Sequence, residues 1–231
     1  MLLDDDFVSI VAAVRLGRRI YANVRKAMSY VLAVHVPIAG MALLPLLFGW
    51  PLMFSPAHIV VLELVINPVC SIVFEAEHSD SDAMHRPPRP SDERLFTAAM
   101  IANCLLQGLA VLAVVGGLYA WWQHDGVDAA TARAMGFVTL VAGNLAVIVA
   151  NRASRAAAAT TLFAKNVPLL WVAAGTLASL AATIYWPPLA RLFGFAALAP
   201  SAVALCLVAG GASVFLFEAL RAALPMRRGG S

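Results

Sequence analysis

Residues 61–70 read VLELVINPVC. They place a carboxylate (Glu63), an amide (Asn67) and a proline (Pro68) inside a largely apolar run from 56 to 75. Such a run, folded as a helix, is long enough to cross about 30 Å of bilayer hydrocarbon. Its company decides how it is read. The chain has 231 residues, of which 61% are hydrophobic and only 13% charged, and its mean hydropathy is +0.82. Soluble domains carry about twice that share of charge, so lipid is the solvent for most of this sequence.

Six spans are expected, at 27–49, 56–75, 96–121, 134–151, 167–186 and 199–220. Each is continuously apolar rather than alternating in short pieces, which selects helices over the strands of a membrane barrel. The expected fold is therefore all-α: a polytopic membrane protein with six transmembrane helices and a short cytoplasmic N-terminal helix. The domain reading is a cytoplasmic stalk helix over 1–26 and a six-helix transmembrane domain over 27–231, with a cytoplasmic loop at 76–95.

The basic residues orient these spans. Arg15, Arg18, Arg19, Arg25 and Lys26, then Arg86, Arg89 and Arg94, then Arg152, Arg155 and Lys165, then Arg221, Arg227 and Arg228 fall on one side. Of the 16 Lys and Arg only Arg133 and Arg191 fall on the other, so both termini are expected in the cytoplasm. An isoelectric point near 9.0 then reports topology and anionic headgroups, and nucleic acid is not an expected partner. Cys70, Cys104 and Cys206 lie in three different spans without metal or disulfide spacing and read as buried free thiols. The start of the chain is acidic, then basic, with Phe7, Ile10, Val11, Val14 and Ile20 able to form one helical stripe. That order is not a secretory signal, and suits a cytoplasmic helix feeding the first span.

Ion chemistry is suggested by residue type. A carboxylate at mid-bilayer costs several kcal/mol unless it faces protein, water or an ion, which makes Glu63 a site hypothesis in its own right. Asn67 is four residues on and shares its helical face, while Pro68 frees the Leu64 carbonyl from its usual helical partner. Side-chain and backbone oxygens of this kind suit hard cations.

The stretch LLDDDFVSIVAAVRLGRRIYANVRKAMSYVL, from Leu2 to Leu32, resembles the junction between the phosphorylation domain and the fifth transmembrane helix of type II P-type cation ATPases. Asp4, Asp5, Asp6 and Phe7, the run Ile10 to Val14, Gly17, the Arg18–Arg19 pair, Ile20, Tyr21 and Asn23 carry the likeness without a gap. DAMHRPPRP, from Asp82 to Pro90, resembles the cytoplasmic loop after the sixth helix of that family. The resemblance implies that the six spans correspond to the fifth through tenth helices of such a pump. It also implies that the loop at 76–95 touches the phosphorylation domain.

The same resemblance puts Glu63, Ile66 and Asn67 at three ion-ligand positions of the sixth helix, and His35 and Ile38 at two of the fifth. Asn144 falls where the eighth helix supplies a ligand. The candidate cation or proton ligands are therefore His35, Glu63, Asn67 and Asn144. The calcium ligand set is altered, and calcium, manganese, magnesium and the proton all remain candidate cargo. His35, two residues before Pro37, also has a bland reading as a neutral imidazole bonded to backbone or to Glu63. Asn144, like Asn103 and Gln107, can simply join neighbouring helices by hydrogen bonds. Gly116, Gly117, Gly210 and Gly211 are expected to permit close helix packing, Glu218 to pair with Arg221, and His58 to be interfacial.

No Asp-Lys-Thr-Gly phosphorylation motif or Gly-rich phosphate loop occurs in these residues. The expected function is that of the membrane-embedded, ion-translocating part of an ATP-driven pump. It is not catalytic alone, has no cofactor of its own, and has the bilayer, the transported cation and a separate chain carrying the missing domains as partners. The alternative is an independent six-helix module acting as a passive cation pathway or a non-enzymatic regulatory remnant.

Overall fold

The computed structural model describes residues 7–68, 72–75, 84, 95–152 and 167–223, without the side chains of Val65, Asn67 and Arg152. Seven helices order these residues: α1 Phe7–Phe48, α2 Pro56–Pro68, α3 Ala98–His124, α4 Ala129–Arg152, α5 Val167–Tyr185, α6 Pro187–Phe193 and α7 Pro200–Ala223. Five of them, α1, α3, α4, α5 and α7, are long and apolar enough to cross a membrane. The described residues contain no strand, so the all-helical, multi-pass reading holds.

The second expected span, 56–75, is where expectation and structure part. Over the described residues α2 is regular for only 13 residues, about 20 Å at 1.5 Å per residue, which falls short of the hydrocarbon thickness. Pro68, which lacks an amide donor, is the last residue of the described part of this helix. Residues 69–71, including Cys70, lie outside the described residues, and 72–75 form a short irregular turn.

α1 also differs from a stalk followed by a separate span. It is one helix of 42 residues, about 63 Å long, roughly twice the hydrocarbon thickness. Pro37 and Pro45 lie inside it, both buried. The carbonyl that Pro37 releases, that of Ala33, is met by α3: a Cβ at Gly108 would collide with this oxygen and with Val36. A glycine on one helix thus seats a proline-freed carbonyl of the next, and α1 packs along α3.

α4 is the most enclosed span and α7 packs closely along it. At Gly210 a Cβ would run into the Thr139 carbonyl, Ala142 and the Gly143 amide, and at Gly143 it would lie 2.7 Å from Val111 Cγ1. The expected close packing is present at Gly210 and, against Leu44, at Gly116; Gly117 and Gly211 have open space where a side chain would go. Cys104 and Cys206 are buried free thiols.

Local capping explains the remaining boundaries. α4 starts five residues before the expected 134 because Asp128 Oδ1 accepts the amides of Ala130 and Thr131 at 3.1 and 3.0 Å. The short α6 was not expected. Pro187 and Pro188 occupy its first turn, where a missing N–H costs nothing, and Gly194 ends it in the left-handed region at φ 60°.

Candidate cation-transport site

His35 on α1 and Glu63 on α2 are brought together. The imidazole Nδ1 lies 2.7 Å from the Val31 carbonyl oxygen, one turn back on α1. A carbonyl can only accept, so Nδ1 carries a proton and Nε2 is left for a further partner. That nitrogen faces Glu63, with Nε2 3.7 Å from Oε1. Of the two bland partners foreseen for His35, the backbone carbonyl is hydrogen-bonded, whereas the 3.7 Å approach to Glu63 is too long for a hydrogen bond. A lone pair and an ionised carboxylate oxygen repel unless a proton or cation lies between them. Two ligands about 2.1 Å from one small ion at a tetrahedral angle stand about 3.4 Å apart, close to the separation seen.

Neither side chain is enclosed: His35 is 49% and Glu63 44% exposed. α1 and α2 do not pack closely against one another along their axes, so the pair bridges a gap between them. Ile66 is buried and Ile38 partly buried, as core residues. The side chain of Asn67 lies outside the described residues.

Asn144 sits apart on α4. It is 3% exposed, its Oδ1 has no hydrogen-bond partner among the described residues, and no hydrogen bond or ion pair joins it to His35 and Glu63. A buried acceptor left unpaired costs about 1–3 kcal/mol, which suits an oxygen kept for a ligand better than a packing amide. Among the described residues no three or more His, Cys, Asp or Glu gather as a metal cluster. The charged part of the site is thus one imidazole and one carboxylate.

Other polar groups resolve into structure. Gln107 Oε1 accepts from Asn151 Nδ2 at 2.8 Å, joining α3 to α4, whereas Asn103 turns back to the Ala99 carbonyl on its own helix. Glu218 pairs with Arg221 at 3.3 Å, as expected. An apolar groove of about 890 Å³ runs between α2, α5 and α6, past Val60, Leu64, Trp171 and Leu192. The hydroxyls of Thr176 and Thr183 beside it donate to carbonyls of their own helix, so the groove offers no cation a free ligand there.

Both ends of α2 are held by groups whose role the sequence did not show. At one end the Glu75 carbonyl accepts from Arg19 Nη2 at 3.3 Å and Asn23 Nδ2 at 3.5 Å, both on α1, and Phe74 lies against the Tyr30 ring. At the other, Arg133 on α4 spans two backbone segments. Its Nε donates to the Leu52 carbonyl and its Nη1 to that of Gly194, each at 3.0 Å. The Tyr119 hydroxyl donates to the Pro51 carbonyl at 2.7 Å. Arg133 registered in the sequence only as a charge on the less basic side, since nothing local marks two carbonyls so distant in the chain.

Residues 51–223 match the family described as "Cation transporting ATPase, C-terminus". The chain belongs to this family. The calcium-transporting ATPase of Bacillus subtilis (strain 168) is 26% identical over 201 residues, covering 87% of this chain and 22% of that protein. Calcium-transporting ATPase type 2C member 2 of Mus musculus is 25% identical over 224 residues, 95% of this chain and 23% of that protein. Calcium-transporting ATPase 4, endoplasmic reticulum-type, of Arabidopsis thaliana reaches 32% identity over a shorter stretch of 132 residues, 55% of this chain and 12% of the relative. The chain therefore spans less than a quarter of each. Within this cation ATPase family its residues correspond to the membrane part of a P-type pump, and the α1–α2 gap holding His35 and Glu63 lies in that part.

Proposed function

We propose that the chain is the ion-translocating membrane part of an ATP-driven cation pump, crossing the bilayer six times with both termini in the cytoplasm. In this reading residues 1–26 form the stalk side of α1, the short α2 is the second span completed by residues up to 75, and 76–95 is a cytoplasmic loop. The cargo site is built on His35 and Glu63, with Asn67 and Asn144 supplying further oxygens. One observation carries this: the second imidazole nitrogen of His35 faces a carboxylate oxygen of Glu63 at 3.7 Å across a gap between two membrane helices. A half-exposed carboxylate at membrane depth is costly, so further protein or water covers that face.

The ligand chemistry narrows the cargo. Calcium takes six to eight oxygens and usually several carboxylates, whereas this pair offers one carboxylate and a nitrogen that hard cations bind poorly. A proton bound by His35 and Glu63 once the pair closes from 3.7 Å to hydrogen-bond distance fits best, with manganese next; calcium and magnesium fit it less well.

Glu63→Gln tests the reading, because it keeps shape and hydrogen-bonding capacity and removes the charge. In the pump assembled with its ATP-hydrolysing domains, the substitution is expected to leave thermal stability nearly unchanged and to abolish cation-stimulated or pH-dependent ATPase activity. Full stimulation with unaltered affinity and pH profile would remove Glu63 from the site.

A further inference from the structure

His58, expected at the interface, is fully buried. It is the third residue of α2, whose start reads Ser55-Pro56-Ala57-His58. The His58 amide donates to the Ser55 carbonyl at 3.0 Å, and the Ser55 amide donates to His58 Nδ1, also at 3.0 Å, with the Ser55 hydroxyl at 2.7 Å. This is a helix-start box in which an imidazole stands where a Glu or Gln side chain commonly reaches back to the capping amide. Since a backbone N–H can only donate, Nδ1 is bare and the proton is on Nε2. Nε2 has no hydrogen-bond partner among the described residues. The ring is instead boxed edge-on by Phe137, Phe193 and Phe195, at 5.3, 5.1 and 5.0 Å between ring centres.

An imidazolium has no place in this box. It would lose the acceptor that holds the Ser55 amide, sit at the positive end of the α2 dipole, and feel the Arg133 charge from α4. The other titratable groups on the packed elements do not offset this. Tyr119 on α3 is engaged with Pro51, Arg191 on α6 is held on the Pro187 carbonyl, and Asp128 is committed to the first amides of α4. The start of α2 is one of the restraints on where Glu63 lies, beside the buried Leu62 and Ile66 of the same helix. Glu63 is five residues, about 7.5 Å, beyond His58.

We propose that His58 is a positioning residue of the transport helix: its neutral imidazole fixes the outer start of α2, and a proton taken up from the outer side releases it. The proposal rests on reading α2 as the transport helix. The closed box holds no second proton on the ring, whereas the opened one binds it with the ordinary imidazole affinity, near 6.5. Acid therefore favours opening, and at pH 5.5 the opened population rises about tenfold over its neutral-pH value.

The test follows amide exchange of Ser55, Ala57 and His58 in the full chain in lipid nanodiscs, corrected for intrinsic exchange, at pH 7.5 and 5.5. The wild type is expected to lose protection about tenfold between the two. His58→Gln, whose amide oxygen can accept the Ser55 N–H without titrating, is expected to stay protected at both, and His58→Ala to be weakly protected at both. Unchanged wild-type protection at pH 5.5 overturns the proposal whatever the variants do. So does a His58→Gln chain that loses protection as the wild type does, or a His58→Ala chain protected as well as the wild type at pH 7.5. None of these readouts involves transport, so failure of the Glu63→Gln test leaves them standing as evidence on the helix start alone.

Discussion

Two glycines on the same helix should respond oppositely to the same added methyl group. At Gly108 a Cβ would lie 2.6 Å from Val36 Cβ and closer still to the Ala33 carbonyl, both on α1. Carbon atoms settle at about 3.5–4.0 Å, so α1 and α3 must separate locally by about 1 Å, and the obstacle is backbone rather than a mobile side-chain tip. Overpacking of this kind costs about 1–3 kcal/mol, offset by up to about 1 kcal/mol from the better helix propensity of alanine. A net loss of about 1 kcal/mol, at most about 2, is expected for Gly108→Ala. At Gly117 nothing lies within 4 Å, so Gly117→Ala keeps only the propensity gain and should stabilise by about 0.5–1 kcal/mol. Function should divide the same way. His35 is two residues from Ala33, so a shift of about 1 Å in α1 changes the 3.7 Å spacing to Glu63. Unfolding of both variants in mixed micelles gives the comparison, and equal shifts of the same sign would refute the close approach of α1 and α3 at Gly108.

Two further outcomes concern the linkers near Leu52, Asp128 and Gly194. Arg133→Lys keeps the charge but not the fork that reaches the Leu52 and Gly194 carbonyls together, so it should destabilise by about 1–3 kcal/mol in thermal unfolding, and retention of full stability would show that the bracket is idle. At the start of α4, the hydroxyl of Thr131 and then its amide hold the Asp128 carboxyl below its usual range. A carboxyl depressed in the folded state contributes its stability above the unfolded value near 3.9 and loses it as pH falls through the lower, folded one. Amide protection of Ala130 and Thr131 should therefore be equal at pH 7 and 5 and fall only below about 4, while Asp128→Asn should flatten that fall.

The helices were legible where their causes are local. The apolar runs that became α3, α5 and α7 are long, uninterrupted and bounded by turn residues, and bilayer burial demands a helix of such a run whatever its neighbours. Glu63 was legible for the same reason, since a carboxylate in that setting is conspicuous before any fold is known. His35 drew notice from its place before Pro37, but the carbonyl that Pro37 releases faces Gly108 rather than Glu63. The short α6 and the early start of α4 had signals, Pro187 with Gly194 and Asp128, that lay outside the apolar runs and so escaped a reading based on them.

What the sequence determined by itself is the solvent, the helical class, the approximate spans and one ionisable group that lipid will not tolerate alone. Those follow from backbone hydrogen bonds within a segment and from transfer free energies that add residue by residue. Tertiary structure decided the rotation of each helix and the partners it meets. It separated Gly210, pressed on a backbone carbonyl, from Gly211, facing open space one residue later. It buried His58 among three phenylalanines from two distant segments, set Nε2 of His35 opposite Glu63, and gave Arg133 two carbonyls drawn from opposite ends of the chain. One residue turns a helix by about 100°, so these outcomes depend on steric fit between helices, which no run of local propensities encodes.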